Sequence, residues 1–258
     1  MDKFLSGKTA LVTGSSRGLG FAYAKALAGA GADVIITDRS ETSANRFGEA
    51  ASGHEVAEKI RAMGVKSAFY AADLREPEKV KQLVEKSLSE FGCIDILVNN
   101  AGGDIGAATP RPMKNNALDI LDEDIFSVVE RNLIATMLAC KYVGQHMRSR
   151  KTGKIINISS GAGQISVKDG IIYAAAKRAI DHYTICLADE MRPFNVNVNC
   201  IAPLGTKTAR FFATRQAPNE ERLTRLQRLA EPEDMAEMVL FLAGPHSERL
   251  SGETIIFR

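Results

Sequence analysis

Short runs of consecutive apolar residues alternate along the chain with longer segments in which apolar positions return every three or four residues. The runs fall at Thr9–Thr13, Asp33–Thr37, Ser67–Ala71, Ile94–Asn99, Lys154–Ser159, Asn195–Ile201 and Thr254–Phe257. Their near-continuous Val, Ile and Leu content predicts strands covered on both faces, as in a parallel sheet. The longer periodicity predicts helices over Leu19–Ala28, His54–Met63, Pro77–Phe91, Asp122–Arg150, Tyr173–Arg192 and Met235–Ala243. Pro77 and Pro232 suit first-turn positions, and Asp122, Glu123 and Asp124 favour a helix start electrostatically.

Regular alternation of strand and helix implies βαβ units with right-handed crossovers. The expected fold is therefore a single-domain α/β Rossmann-type doubly wound sheet over residues 1–258, with about seven parallel strands and helices on both faces. Three stretches escape the rhythm. Gly102–Leu121 and Pro203–Arg228 follow strands and are candidate substrate loops, because loops at the carboxyl ends of parallel strands form the ligand crevice. Asp38–Gly53 is read as a surface insertion.

Composition narrows the function classes. The 258 residues include 33 Lys and Arg against 31 Asp and Glu, a formal charge of +2. Such a balance gives no electrostatic case for nucleic acid or an acidic membrane surface. No apolar run approaches the length of a membrane span, and Met1–Lys8 lacks an apolar signal region, so the expectation is a soluble cytoplasmic protein. Cys93, Cys140, Cys186 and Cys200 are widely spaced, without His at ligand spacing, so free thiols are expected and no metal.

Candidate chemistry sits at two places. Thr13-Gly-Ser-Ser-Arg-Gly-Leu-Gly20 joins the first strand to the first helix, and its glycines allow close approach to a pyrophosphate at a helix N-terminus. Asp38 ends the second strand, where a carboxylate accepts hydrogen bonds from ribose hydroxyls and repels a 2′-phosphate, favouring NAD. Arg17 and Arg39 push toward NADP, since either can pair with a phosphate. The second place is Ser160 with Tyr173-Ala-Ala-Ala-Lys177. Residues at i and i+4 share a helical face, so the ammonium of Lys177 lies beside the phenol of Tyr173. Alone, such a pair is an ordinary helical contact. With a fixed cation favouring its phenolate, Tyr173 becomes a candidate for exchanging a proton with an alcohol or carbonyl oxygen.

In order and spacing, the set Thr13-Gly-x-x-x-Gly-x-Gly20, Asp73-Leu74, Asn99-Asn-Ala-Gly102, Asn132, Ser160, Tyr173-x-x-x-Lys177 and the Pro203 region resembles the short-chain dehydrogenase/reductase family. The resemblance implies reversible NAD(P)-dependent hydride transfer between a secondary alcohol and a ketone. It casts Tyr173 as general acid/base, Lys177 as its activator and the holder of the nicotinamide ribose, and Ser160 as a donor to the substrate oxygen. Asn132 would position a water for proton relay. Gly14, Ser16, Arg17, Gly18, Leu19, Gly20, Asp38 and Arg39 would contact the dinucleotide, with Asp73 and Leu74 at the adenine and Asn100, Ala101 and Gly102 lining the cofactor path. The family's Pro-Gly order is displaced here to Pro203-Leu-Gly-Thr-Lys-Thr208. The carboxamide contact therefore falls to Thr208 or Thr206, with Pro203 and Gly205 shaping the turn.

Arg111, Lys114, Arg210, Arg215, Arg222, Arg225 and Arg228 suggest a hydroxy or keto acid or sugar-derived substrate, with Glu220 and Glu221 the acidic members of the segment. Phe211 and Phe212 suit a steroid-like or other apolar alcohol. A non-catalytic nicotinamide-binding protein of the same fold is the rival from another class, but such proteins usually lose the Tyr or Lys. The long helices Asp122–Arg150 and Tyr173–Arg192 are apolar over more than a narrow stripe, and their family equivalents form subunit interfaces. A homotetramer or homodimer is expected.

Overall fold

The apolar runs assemble side by side into one parallel sheet of seven strands. The computed structural model describes residues 3–105, 115–214 and 229–257. The strands are β1 (Thr9–Thr13), β2 (Asp33–Asp38), β3 (Ser67–Ala71), β4 (Ile96–Asn99), β5 (Gly153–Ile158), β6 (Val196–Pro203) and β7 (Thr254–Phe257). They lie in the order β3-β2-β1-β4-β5-β6-β7, every neighbouring pair parallel. The helices are α1 (Gly18–Gly29), α2 (Gly53–Arg61), α3 (Pro77–Phe91), α4 (Asp122–Val129), α5 (Ala135–Arg150), α6 (Ile171–Met191), α7 (Ala209–Thr214) and α8 (Pro232–Ala243).

Period-two side-chain alternation sorts the apolar residues into two cores. Ala10, Val12, Val34, Ile36, Ile96 and Val98 meet Tyr23 and Leu27 of α1 and Val239 of α8 on one face. Leu11, Ile35, Leu97, Ile155 and Val198 meet Val80 of α3, Val143 and Met147 of α5 and Met191 of α6 on the other. Because both faces are covered, the strands read as unbroken apolar runs rather than as alternating ones.

Many element ends shift by one to three residues from expectation, those of β4 and β6 among them. β4 begins at Ile96 rather than Ile94, although Asp95 is still tied to β1, its side chain accepting from the Thr9 amide at 3.0 Å and its own amide donating to the Thr9 carbonyl at 2.8 Å. β6 runs on to Pro203, held by pairing with β7 through Phe257. The helix expected over Asp122–Arg150 is interrupted by a π-turn at Glu130–Ile134, an extra residue within the helical path that rotates Asn132 inward. Among the described residues, no helix is long and apolar enough to cross a membrane. All four cysteines are free thiols; Cys140 and Cys200 are buried and Cys186 is exposed.

Leu97 is wholly buried on the central strand. Leu97→Ala should cost about 2–5 kcal/mol through lost transfer energy and a residual cavity. That cost would be read as a lower urea midpoint with an unchanged slope.

Candidate active site

The carboxyl ends of β1 and β4 meet where the strand order reverses, and a crevice opens there. The Thr13 hydroxyl accepts from the amides of Asn100 and Ala101, each at 3.0 Å. Asn100 Nδ2 returns bonds to the carbonyls of Thr13 and Gly14, also at 3.0 Å. Gly14 has φ of +60°, and a Cβ built there would lie 2.9 Å from Ala101 Cα. Only glycine lets the turn after β1 lie against the end of β4.

This turn forms one wall of a cleft of about 790 Å³. Gly14, Arg17, Gly18, Leu19 and Gly20 line it; Ser16 does not. Ser16 is buried, and its hydroxyl donates to Asp38 Oδ2 at 2.5 Å. With the Arg39 amide on Oδ1 at 2.8 Å, that bond fixes the Asp38 carboxylate at the end of β2. Asp73 and Leu74 line the cleft as well. Arg75 forks onto the Asp73 carboxylate, with Nη2 to Oδ2 at 2.6 Å, and holds its pKa below the usual carboxylate range.

The Asp38–Gly53 stretch is more than a surface insertion. A 3₁₀ helix over Glu41–Phe47 folds it back, and Ser43, Arg46 and Glu49 join the lining. Arg17 stacks on the Phe47 ring at 4.7 Å. Burial pushes the Glu49 carboxyl pKa up, against the pull of Arg17, the Gly18 amide and Arg210. No apolar periodicity marks this segment, so nothing local pointed to these residues. Asn115, Arg131 and Asp169 were also missed, although all three line the cleft; for Arg131, helical periodicity marks the apolar face and says nothing of a polar position that faces a ligand.

At the opposite end, Ser160 follows β5 and caps a short turn, its Oγ accepting from the Ala162 amide at 3.2 Å. Tyr173 and Lys177 face the same cleft from α6. The Lys177 Nζ lies 5.7 Å from the centre of the Tyr173 ring and donates to the Ile158 carbonyl at 2.8 Å. Lys177 is buried, and desolvation lowers its pKa from the usual 10.5 to about 8; Arg210 acts in the same sense, while Cys200 and Asp181 oppose.

Asn132 lies behind the wall rather than on it. Its Oδ1 accepts from the Gly103 amide at 3.0 Å, and its Nδ2 donates to the carbonyls of Gly103 at 3.0 Å and Val128 at 2.7 Å. A Cβ placed on Gly102 would lie 2.5 Å from Asn132 Oδ1 and 3.3 Å from Lys177 Nζ, so the three converge.

Pro203, Gly205, Thr206 and Thr208 line the cleft above these groups. Both threonine hydroxyls are engaged: Thr206 donates to the Leu204 carbonyl at 3.3 Å, and Thr208 accepts from the Phe211 amide at 3.2 Å. Arg210 reaches across to the Gly102 carbonyl at 3.1 Å. Arg111, Lys114, Arg215, Glu220, Glu221, Arg222, Arg225, Arg228 and the side chain of Phe212 lie outside the described residues.

A family model described as short chain dehydrogenase matches residues 8–219. The chain belongs to the short-chain dehydrogenase family. Members of this oxidoreductase family generally use NAD or NADP. A cyclohexanol dehydrogenase from Rhodococcus sp. (strain TK6) is 36% identical, over 97% of this chain and 94% of its own length. The 3-oxoacyl-[acyl-carrier-protein] reductase FabG of Chlamydia pneumoniae is 34% identical over 99% of this chain and 97% of its own. The solved structure of gox2181 superposes with a TM-score of 0.87 at 28% identity, covering 98% of this chain and 95% of that one.

The residues present suit the family's dinucleotide. A glycine-bearing turn at a helix N-terminus, a fixed carboxylate at one end and a buried cation at the other span a single cleft. Lys177 also yields a prediction for the cofactor-free protein. The folded chain releases its ammonium proton near pH 8, before the unfolded chain does near 10.5. The unfolded state therefore binds more protons across that window, and stability rises with pH there. Wild type should gain stability relative to Lys177→Met between pH 8 and 10.5, as measured by urea denaturation at several pH values.

Proposed function

We propose that the protein is a dehydrogenase/reductase that interconverts a secondary alcohol and a ketone with NAD as cofactor. The carrying observation is that Ser160, Tyr173 and Lys177 share one cleft with the glycine turn and Asp38. When bound, the nicotinamide supplies the hydride acceptor or donor. Asp38, already held by Ser16 and the Arg39 amide, receives the adenosine ribose hydroxyls. Lys177 holds the nicotinamide ribose with its ammonium.

The chain's own work is to manage one proton. Tyr173 takes the hydroxyl proton at its phenolic oxygen during oxidation and returns it during reduction. The adjacent Lys177 cation favours the phenolate. Ser160 donates its hydroxyl to the same substrate oxygen and stabilises charge developing there. Asn132 completes the set from behind, at the junction of Gly102, Gly103 and Lys177. With the cofactor bound, Lys177 and Asn132 would give the Tyr173 proton a way toward this buried end.

Arg210 in the cleft supports a hydroxy or keto acid substrate, its guanidinium receiving the carboxylate. Val167, Leu204 and Phe211 in the same lining support a second reading, an apolar cyclic alcohol. The similarity to a cyclohexanol dehydrogenase favours that reading. The enzyme assembles as a homotetramer or homodimer, supported by the exposed Phe126 of α4 and Ile185 of α6.

Reduced-cofactor absorbance with cyclohexanol and with short hydroxy acids separates the two substrate classes. Tyr173→Phe should lower kcat by about 10²–10⁴ while cofactor affinity stays within a few-fold; near-normal turnover would end the acid/base assignment. Asp38→Asn should raise KM for NAD about tenfold, the worth of a charge-assisted hydrogen bond, and narrow the gap to NADP. An unchanged NAD-to-NADP ratio would remove Asp38 from cofactor choice.

A further inference from the structure

The wall that carries Ser160 is fastened to α6 by side chains outside the cleft. Directly after Ser160, residues Gly161–Gln164 make one 3₁₀ turn. The Ser160 carbonyl accepts from the Gly163 amide at 3.0 Å, and its Oγ from the Ala162 amide at 3.2 Å. The seat of this turn therefore sets where the Ser160 hydroxyl points. It rests flush on α6: a Cβ on Gly163 would lie 2.9 Å from the Arg178 nitrogen and 3.3 Å from the Ala174 carbonyl oxygen. No side chain fits between turn and helix at that point. Ala174 and Arg178 each follow directly after Tyr173 and Lys177 in the chain.

At the end of the turn, Gln164 Nε2 donates to Asp181 Oδ2 at 2.5 Å, and Gln164 Oε1 accepts from Arg178 Nη1 at 2.8 Å. Arg178 Nη1 also approaches Asp181 Oδ2 at 3.5 Å. Asp181 is only 3% exposed and sits one helical turn beyond Lys177. Its Oδ1 accepts from Cys200 Sγ on β6 at 3.5 Å. A buried carboxylate is costly unless donors surround it. The donors here come from the Ser160 turn, from α6 and from β6, the elements that meet at the reacting end of the cleft.

We propose that Gln164 and Asp181 are positioning residues: their bond clamps the Ser160 turn onto α6 and fixes the Ser160 hydroxyl beside Tyr173. The proposal rests on the reading of Ser160 and Tyr173 as the proton-handling pair. Neither clamp residue lines the cleft, so each acts through Ser160. Displacing a reacting group by about 1 Å costs on the order of 10²-fold in rate, which makes the seat of this turn a sensitive point.

Gln164→Met keeps the side chain's length while removing both polar atoms, and Asp181→Asn keeps an acceptor while removing the charge. Gln164→Met should lower kcat at least tenfold, with cofactor affinity within twofold of wild type. Amide exchange over residues 161–164 should accelerate at least tenfold in the cofactor-free protein. Asp181→Asn should lose less than threefold in kcat, because an acceptor for Gln164 remains. In a Ser160→Ala background, Gln164→Met should add less than a twofold loss, since the two act as one unit. If Gln164→Met does not fold, Gln164→Asn, one methylene too short to reach Asp181, carries the same expectations. A kcat within twofold of wild type in the folded variant overturns the proposal, whatever the exchange rates. Full activity in Ser160→Ala alone would instead sink the reading of Ser160, and the exchange rates would then decide whether the clamp exists. Exchange within twofold of wild type would overturn it.

Discussion

Burying the ammonium of Lys177 is the constraint around which the reacting end of the molecule is arranged. Desolvating a cation is unfavourable, and the depressed pKa of about 8 records the strain. The Ile158 carbonyl at 2.8 Å and the face of the Tyr173 ring offset part of it. Those partners exist only because α6 lies across the end of β5, where Ser159 Oγ donates to the Lys177 carbonyl at 2.8 Å. The same crossing brings Ser160 and Tyr173 to one cleft. Gly102 and Asn132 close the site from behind, where only a glycine leaves room between them and the ammonium.

The sheet divides its labour along the strand direction. Its body is apolar on both faces and supplies most of the hydrophobic stabilisation. Its carboxyl edge is polar and cross-tied. Asn99 Nδ2 donates to Asn157 Oδ1, and Asn157 Nδ2 to the Thr184 hydroxyl, both at 2.9 Å and fully buried. These bonds tie β4 to β5 and β5 to α6, although Asn99 Oδ1 has no hydrogen-bond partner among the described residues. Groups that stabilise a developing charge act best when they do not have to reorganise during the reaction. The polar edge gives Ser160 and Lys177 such a frame.

Where the chain was legible, short-range chemistry was sufficient. The β1–α1 turn was readable because Gly14, Gly18 and Gly20 have few other uses at a strand-to-helix junction. All the expected cofactor-contact residues except Ser16 line the cleft. Ser16 lies outside the lining with its hydroxyl on Asp38, an orientation that spacing alone does not give. The break at Glu130–Ile134 was invisible because one extra residue barely alters a hydrophobic pattern nearly thirty residues long. Ser43, Arg46 and Glu49 were overlooked because a polar segment without periodicity reads as surface. Gln164 and Asp181 look like ordinary solvated residues until the turn is seen seated on α6.

By itself the sequence determined the parallel sheet, the glycine turn, the acid at the end of β2 and the i,i+4 pairing of Tyr173 with Lys177. Each is signalled by a pattern within a few residues: apolar runs, freedom at glycine, the pitch of a helix. Only the tertiary structure decided that Asn132 turns inward, that Lys177 loses its water, that the 41–49 segment folds onto the cleft and that Asp181 is buried against the Ser160 turn. Those outcomes depend on contacts between residues from 17 to 29 positions apart or more, such as Gln164 with Asp181 and Gly103 with Asn132. Burial and hydrogen bonding at that range arise from packing one element on another, and no local pattern encodes them.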